Sequence, residues 1–422
     1  MVCNSFGGVL GANCENYAKV LCISLFICTF ARNFYWIMKK ASLYLACALV
    51  VLLTGCGKNS GRTLTSATGS IYECLVVMPD RPLSQEVLKD IHLSIAEGSA
   101  YEEAVATTYD LVKAVMAADM PCMPQMEPYF TLSQVPSAAF DDYLKPTRNI
   151  LFVDIDPNKY TQTKAKVSTN VWSKPQAVYR IQAPSDEAFA AYWLAHGEEV
   201  RDWFIRQELK RQTAFYRGST NHDARVALQK TIGCDMWVPE DYMLIMDTVI
   251  EGISSPLSAR VEESAPVRLV WCCNNKGSMR RDLVVYAYDY TSEQMFTLEW
   301  LNAMRDKVLG QVVTASVEGS YMGTEYKVFP PQSRVVPSLE NKSEEGFYAT
   351  EVRGLWKIKH GEAMGGPYVS LTRLDQANGR VVTAETFIFA AGQKKRNALR
   401  QSEAILYTLK MSYENDTSKQ RQ

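Results

Sequence analysis

Apolar positions along this chain fall into short continuous runs that predict strands, separated by stretches with helical spacing. Ile71 to Met78 reads as a first strand closed by Pro79, and a helix follows Ser84 through Val87, Leu88, Ile91 and Ile95 to Gly98. Prolines at 121, 124 and 128 mark an irregular crossing before Asn149-Ile150-Leu151-Phe152-Val153-Asp154, a buried-strand run. Ala177 to Gln182 predicts the next strand. Pro184-Ser185-Asp186 then opens a long helix with Phe189, Tyr192, Trp193, Val200, Trp203 and Phe204 at helical spacing.

The second half repeats this rhythm. Strands are predicted at Tyr242–Thr248, Val267–Cys272 and Leu283–Tyr288, followed by a helix from the capping-box sequence Thr291-Ser292-Glu293-Gln294 to about Leu309. Three more strands are predicted at Phe347–Lys359, Tyr368–Leu374 and Arg380–Phe389. A last helix spans about Lys394–Met411, with Ala398, Ser402, Ile405 and Leu409 on one face. The proline-rich segment from Phe329 through Pro337 to Glu345 reads as a surface loop. Short links between strands favour antiparallel pairing, so the expected class is α+β: mainly antiparallel sheets, helices packed on one face, strand-strand-helix units. The expected organisation is a tether at 57–70, an N-terminal α+β part at 71–235 and a C-terminal one at 236–422.

The chain's start has a different pattern. Lys39 and Lys40 precede an apolar run, Ala41–Leu53, which leads into Leu53-Thr54-Gly55-Cys56. That order is the architecture of a bacterial lipoprotein signal at 38–56, in which the Cys56 thiol takes a diacylglycerol and becomes the mature N-terminus. The run is shorter than the roughly 20 residues a spanning helix needs. The polar Gly57-Lys58-Asn59-Ser60-Gly61-Arg62 suits a tether. Residues 1–37 carry a second apolar run, Val20–Ala31, and read as an over-extended start, with translation expected from Met38.

Composition excludes some partners. Lys+Arg of 45 against Asp+Glu of 46 leaves no basic excess for nucleic acid. Beyond Cys56 lie Cys74, Cys122, Cys234, Cys272 and Cys273, an odd number with no disulfide framework; neighbours Cys272 and Cys273 face opposite ways in a strand. His92, His196, His222 and His360 lack the spacing of a zinc helix. Asp154-Ile155-Asp156-Pro157-Asn158 resembles a calcium loop but has Lys159 and Ala165 where glycine and glutamate belong, so a strand ending in an Asx turn is expected. Gly319-Ser320-Tyr321-Met322-Gly323 places its serine one position too early for a nucleophile elbow. No cofactor is implied.

Small, aromatic and charged residues crowd together in Gly319–Glu325, Arg353–Trp356, Met364–Ser370 and the helix opened by Lys394-Lys395-Arg396. Glu325, Glu351, Arg353 and Arg400 are the candidates for a ligand-fixing or acid/base site, against a structural reading in which Arg and Glu pair across sheet and helix. The basic helix start runs against the helix dipole and hints at an anionic ligand or lipid head groups.

Leu53–Cys56, Arg148–Leu151, Val171–Gln176, Gly319–Glu325, Arg353–Trp356, Met364–Pro367, Lys395-Arg396 and Arg400–Leu406 together resemble a family of Bacteroidetes lipoproteins, domain of unknown function 4837. The likeness runs from Met38 to about Met411. It implies an envelope location and a start at Met38, and carries over no catalytic residue. With Lys58 and Arg62 after Cys56 and no acid before Glu73, it implies an outer-membrane anchor facing the periplasm. The expected role is non-catalytic, binding an envelope protein, peptide or glycan. The rival is an envelope-polymer hydrolase or transferase using Glu325 and Glu351.

Overall fold

The structure, a computed structural model, describes residues 64–94, 105–254, 256, 264–337, 339 and 348–414. The signal segment, Cys56, residues 1–37 and most of the tether lie outside the described residues. No described helix is long and apolar enough to cross a membrane.

The first part comprises β1 (Thr65–Ser66), β2 (Glu73–Val77), α1 (Gln85–Ser94), α2 (Thr108–Met116), β3 (Thr131–Val135), β4 (Asn149–Ile155), β5 (Lys164–Thr169), β6 (Ser173–Lys174), β7 (Ala177–Ala183) and α3 (Asp186–Tyr216). Thr107 caps α2 through a capping box with Asp110, and the Ser185 side chain accepts from Ala188 N at the start of α3. The sheet order is β3-β2-β4-β7-β5, with parallel pairing except at β5. Long helix-bearing links such as the one from β2 to β3 allow parallel strands here, where short links had favoured hairpins. Alternation in β2 and β4 divides their side chains. Cys74, Val76, Leu151 and Val153 join the core formed with α2 and α3, while Leu75, Val77, Ile150 and Phe152 pack under Phe140, Leu144 and Trp172.

The second part adds α4 (His222–Ala227), continued by a π turn at Leu228–Ile232, then β8 (Cys234–Asp235), β9 (Met243–Ser254), β10 (Ser264–Asn274), β11 (Arg280–Asp289) and α5 (Leu298–Val312). After these come β12 (Tyr321–Glu325), β13 (Gln332–Pro337), β14 (Tyr348–Lys359), β15 (Gly365–Asp375), β16 (Arg380–Phe389), α6 (Arg396–Leu406) and β17 (Lys410–Met411). An antiparallel sheet runs β12-β14-β15-β16-β11-β10-β9, with β13 on the other half of β14. One face packs on α5 through Leu269, Val284, Tyr286, Trp356 and Phe387; the other carries Val270, Val285, Leu371 and Ala384 toward α4 and α6. Helices therefore cover both faces of the large sheet, not one. The smaller sheet keeps helices on a single face.

Two further details depart from the sequence reading. The proline-rich segment contributes a strand, β13, because Arg334 and Val336 pair with β14 and Val336 is buried. The Thr291–Gln294 box opens only a 3-10 turn at Glu293–Phe296, and α5 begins at Thr297, whose side chain accepts from Trp300 N. The segment 222–235 packs with the large sheet. The Asx turn is as expected: Asn158 N donates to Asp156 Oδ1 at 2.9 Å. Gly366 is required by close approach, since a Cβ there would stand 2.0 Å from the Ile388 carbonyl oxygen.

Candidate functional site

Strand register builds the site. Arg334 on β13 lies directly opposite Glu351 on β14, and Arg353, two residues along, points to the same face. Both guanidinium groups donate Nε–H to Glu351 Oε1 at 2.8 Å, and Tyr407 donates its hydroxyl to Oε2 at 2.9 Å. Arg353 Nη2 continues to Glu403 on α6, and Arg400, one helical turn before Glu403, donates Nη1 to its two oxygens at 3.2 and 3.0 Å. The Arg400 guanidinium also lies 5.5 Å from the ring centres of Tyr72 and Tyr129. Glu351, Glu403 and Arg400 are buried, while Arg334 is half-exposed.

The network opens on a cleft of about 140 Å³ lined by Pro121, Tyr129, Ile205, Gln332, Ser333 and the side chains of Arg334, Glu351, Arg353 and Arg400. Cys122 Sγ donates to the Arg353 carbonyl at 3.4 Å, fixing the loop beside it.

Electrostatics settle the protonation states. Burial pushes the Glu351 carboxyl up, but Arg353 and Arg334 overcome it and hold the group well below the usual carboxylate range. Burial opposes the charge on Arg353, yet Glu351 and Glu403 hold it protonated. Burial, then Glu351, keeps the Tyr407 phenol protonated. Glu351 thus remains a carboxylate, and none of these three groups changes state near neutral pH.

Of the sequence candidates, Glu351, Arg353 and Arg400 come together and Glu325 does not. Glu325 faces Leu355 in register, four residues from Glu351, or about 13 Å along the strand. It pairs with Lys357 and accepts from Lys327 N at 2.6 Å; the Lys357 ammonium holds its carboxyl below the ordinary range. The backbone amides at the basic start of α6 are capped within the chain. Glu127, brought from the first part, accepts from Lys395 N at 2.7 Å and Arg396 N at 2.9 Å, supplying the anion that the helix dipole favours.

Sequence reasoning missed Arg334, Glu403 and Tyr407, and also a second ion pair on the opposite face of the sheet. There Arg305 of α5 meets Glu385 of β16, Nη2 to Oε1 at 2.7 Å and Nε to both oxygens at 2.9 Å. Thr324, Met322 and Asp306 take its remaining bonds, and Tyr368 lies 3.9 Å beneath it. One signal was available: Glu385 is a charge at the centre of an apolar strand, a placement that requires a buried partner. Cys74, Cys122, Cys234, Cys272 and Cys273 are buried free thiols.

Residues 220–408 match the model of a family described as Domain of unknown function (DUF4837), and residues 67–217 match a second, Domain of unknown function (DUF8532). A search of the curated proteins matched none. The two matches meet between α3 and α4, and the cleft draws on both: Tyr129 and Ile205 from one, the charged network from the other.

Proposed function

We propose that this chain, whose two parts match families of unknown function, is a lipid-anchored protein of the bacterial cell envelope with a non-catalytic binding or assembly role. The reading places it on the periplasmic side of the outer membrane, held through lipid on Cys56, with an envelope protein, peptide or glycan as partner. The signal architecture at 38–56 and the basic residues Lys58 and Arg62 support the location.

One observation carries the non-catalytic part. Glu351, the carboxylate best placed for acid/base work, is locked ionised between Arg334 and Arg353. A general acid must hold a proton near the operating pH, and Glu351 holds none there. An inverting or retaining glycosidase needs its carboxyls about 5–10 Å apart, whereas Glu325 lies farther along the strand.

Two experiments test the reading. Cys56→Ala should move the protein from the membrane to the soluble fraction; a lipid-modified form still sedimenting with membranes contradicts the anchor. Incubated with purified envelope sacculi, the protein should release no fragments. Release by wild type that disappears in a folded Glu351→Gln variant would establish the enzymatic rival.

A further inference from the structure

We infer that the cleft beside β13 binds a small oxyanion, one carboxylate or one phosphate group, on the guanidinium groups of Arg353 and Arg400. Arg353 and Arg400 face Glu351 and Glu403, and the half-exposed Arg334 also meets Asp202 at 3.8 Å, so the charges of the network are matched while its hydrogen bonds are not. Arg353 Nη1 and Arg400 Nε are buried and have no hydrogen-bond partner among the described residues.

Both side chains are more than nine-tenths buried, at 9% and 2% exposure, and both line the cleft. A buried charged donor without an acceptor is costly, and native structures rarely leave one unmet. An oxyanion supplies what is missing: acceptor oxygens for both nitrogens. The planar guanidinium fork is matched to carboxylate and phosphate rather than to a cation or a neutral sugar. A volume of about 140 Å³ admits one such group with a few attached atoms. Complete small-molecule sites run from about 300 Å³. Tyr129, Ile205 and Pro121 supply an apolar wall for whatever carries the anion.

The inference rests on the same site being a binding site, and the two fail separately. Fragment release from sacculi that depends on Glu351 removes the binding reading whatever the anion titration gives. The direct test uses the full chain in uncharged detergent, titrated with inorganic phosphate or sodium acetate against sodium chloride at matched ionic strength, and read by melting temperature and calorimetry.

Saturable stabilisation by phosphate, by acetate or by both is expected, and chloride should give none. The preferred anion identifies the group as phosphate or carboxylate. Arg400→Gln should weaken binding at least tenfold. Gln332→Glu, which sets a carboxylate at the exposed rim on the face of β13 that carries Arg334, should do the same in a variant that folds. A wild-type response no larger than that to chloride, or a folded Gln332→Glu response equal to wild type, overturns the inference.

Discussion

The two faces of the large sheet carry two buried arginine–carboxylate clusters built to different rules. On the α5 face, Arg305 and Glu385 form a closed pair: each guanidinium nitrogen has a partner, and neither side chain exceeds 2% exposure. On the α6 face, Arg334, Arg353 and Arg400 meet Glu351, Glu403 and Asp202, yet two guanidinium nitrogens stay unsatisfied, and the cluster borders a cleft. The carboxylates respond accordingly. Burial raises Glu385 above the ordinary range, with Arg305 opposing it, whereas two arginines bring Glu351 below that range. A buried pair with every donor met fits a structural role. A buried cluster with unmet donors beside a cleft fits a ligand.

The largest effect should come from breaking the closed pair. Arg305→Met strands Glu385 without a partner and should cost about 3–5 kcal/mol in chemical denaturation. Replacing both, Arg305→Met with Glu385→Leu, should recover most of that loss. Arg400→Gln should cost less, about 1–2 kcal/mol, because Glu403 keeps Arg353. Equal losses from Arg305→Met and Arg400→Gln would erase the distinction between the clusters.

Acidification should separate them next. Glu351 is depressed when folded, so its stabilisation is complete above the unfolded value near 4.3 and is lost as pH falls toward about 2. Glu385 is raised when folded, so it contributes the opposite slope: stability falls as pH rises from about 4.3 through its folded value. Denaturation between pH 2 and 6 should show a shallower acid loss for Glu351→Gln and a steeper one for Glu385→Gln. The smallest effect belongs to Glu325→Gln at the sheet edge, where loss of the Lys357 pair should change stability by less than about 1 kcal/mol.

Much of the fold is legible from apolar runs, because β4, β11 and β16 are buried on both faces and carry mostly hydrophobic residues. Strands at the margins are not. β13 exposes Gln332, Ser333, Arg334 and Val335, so its sequence carries no strand pattern, and its pairing comes from β14. β5 is almost wholly exposed and is hidden for the same reason. The site was half-legible. Glu351, Arg353 and Arg400 stand out as charges within apolar elements, yet their partners come from residues distant in sequence: Arg334 across the ladder and Glu403 on α6. The same distance misleads at Lys394-Lys395-Arg396, where the balancing acid, Glu127, lies 268 residues before Lys395.

The contrast between the clusters has one direct readout, the Nε–Hε resonances of Arg400 and Arg305 followed by NMR as inorganic phosphate or acetate is added to the full chain in uncharged micelles. The Arg400 resonance should move saturably with one of these anions while Arg305 stays fixed. Movement of both together, or of neither, would contradict the assignment of one cluster to ligand binding and the other to structure.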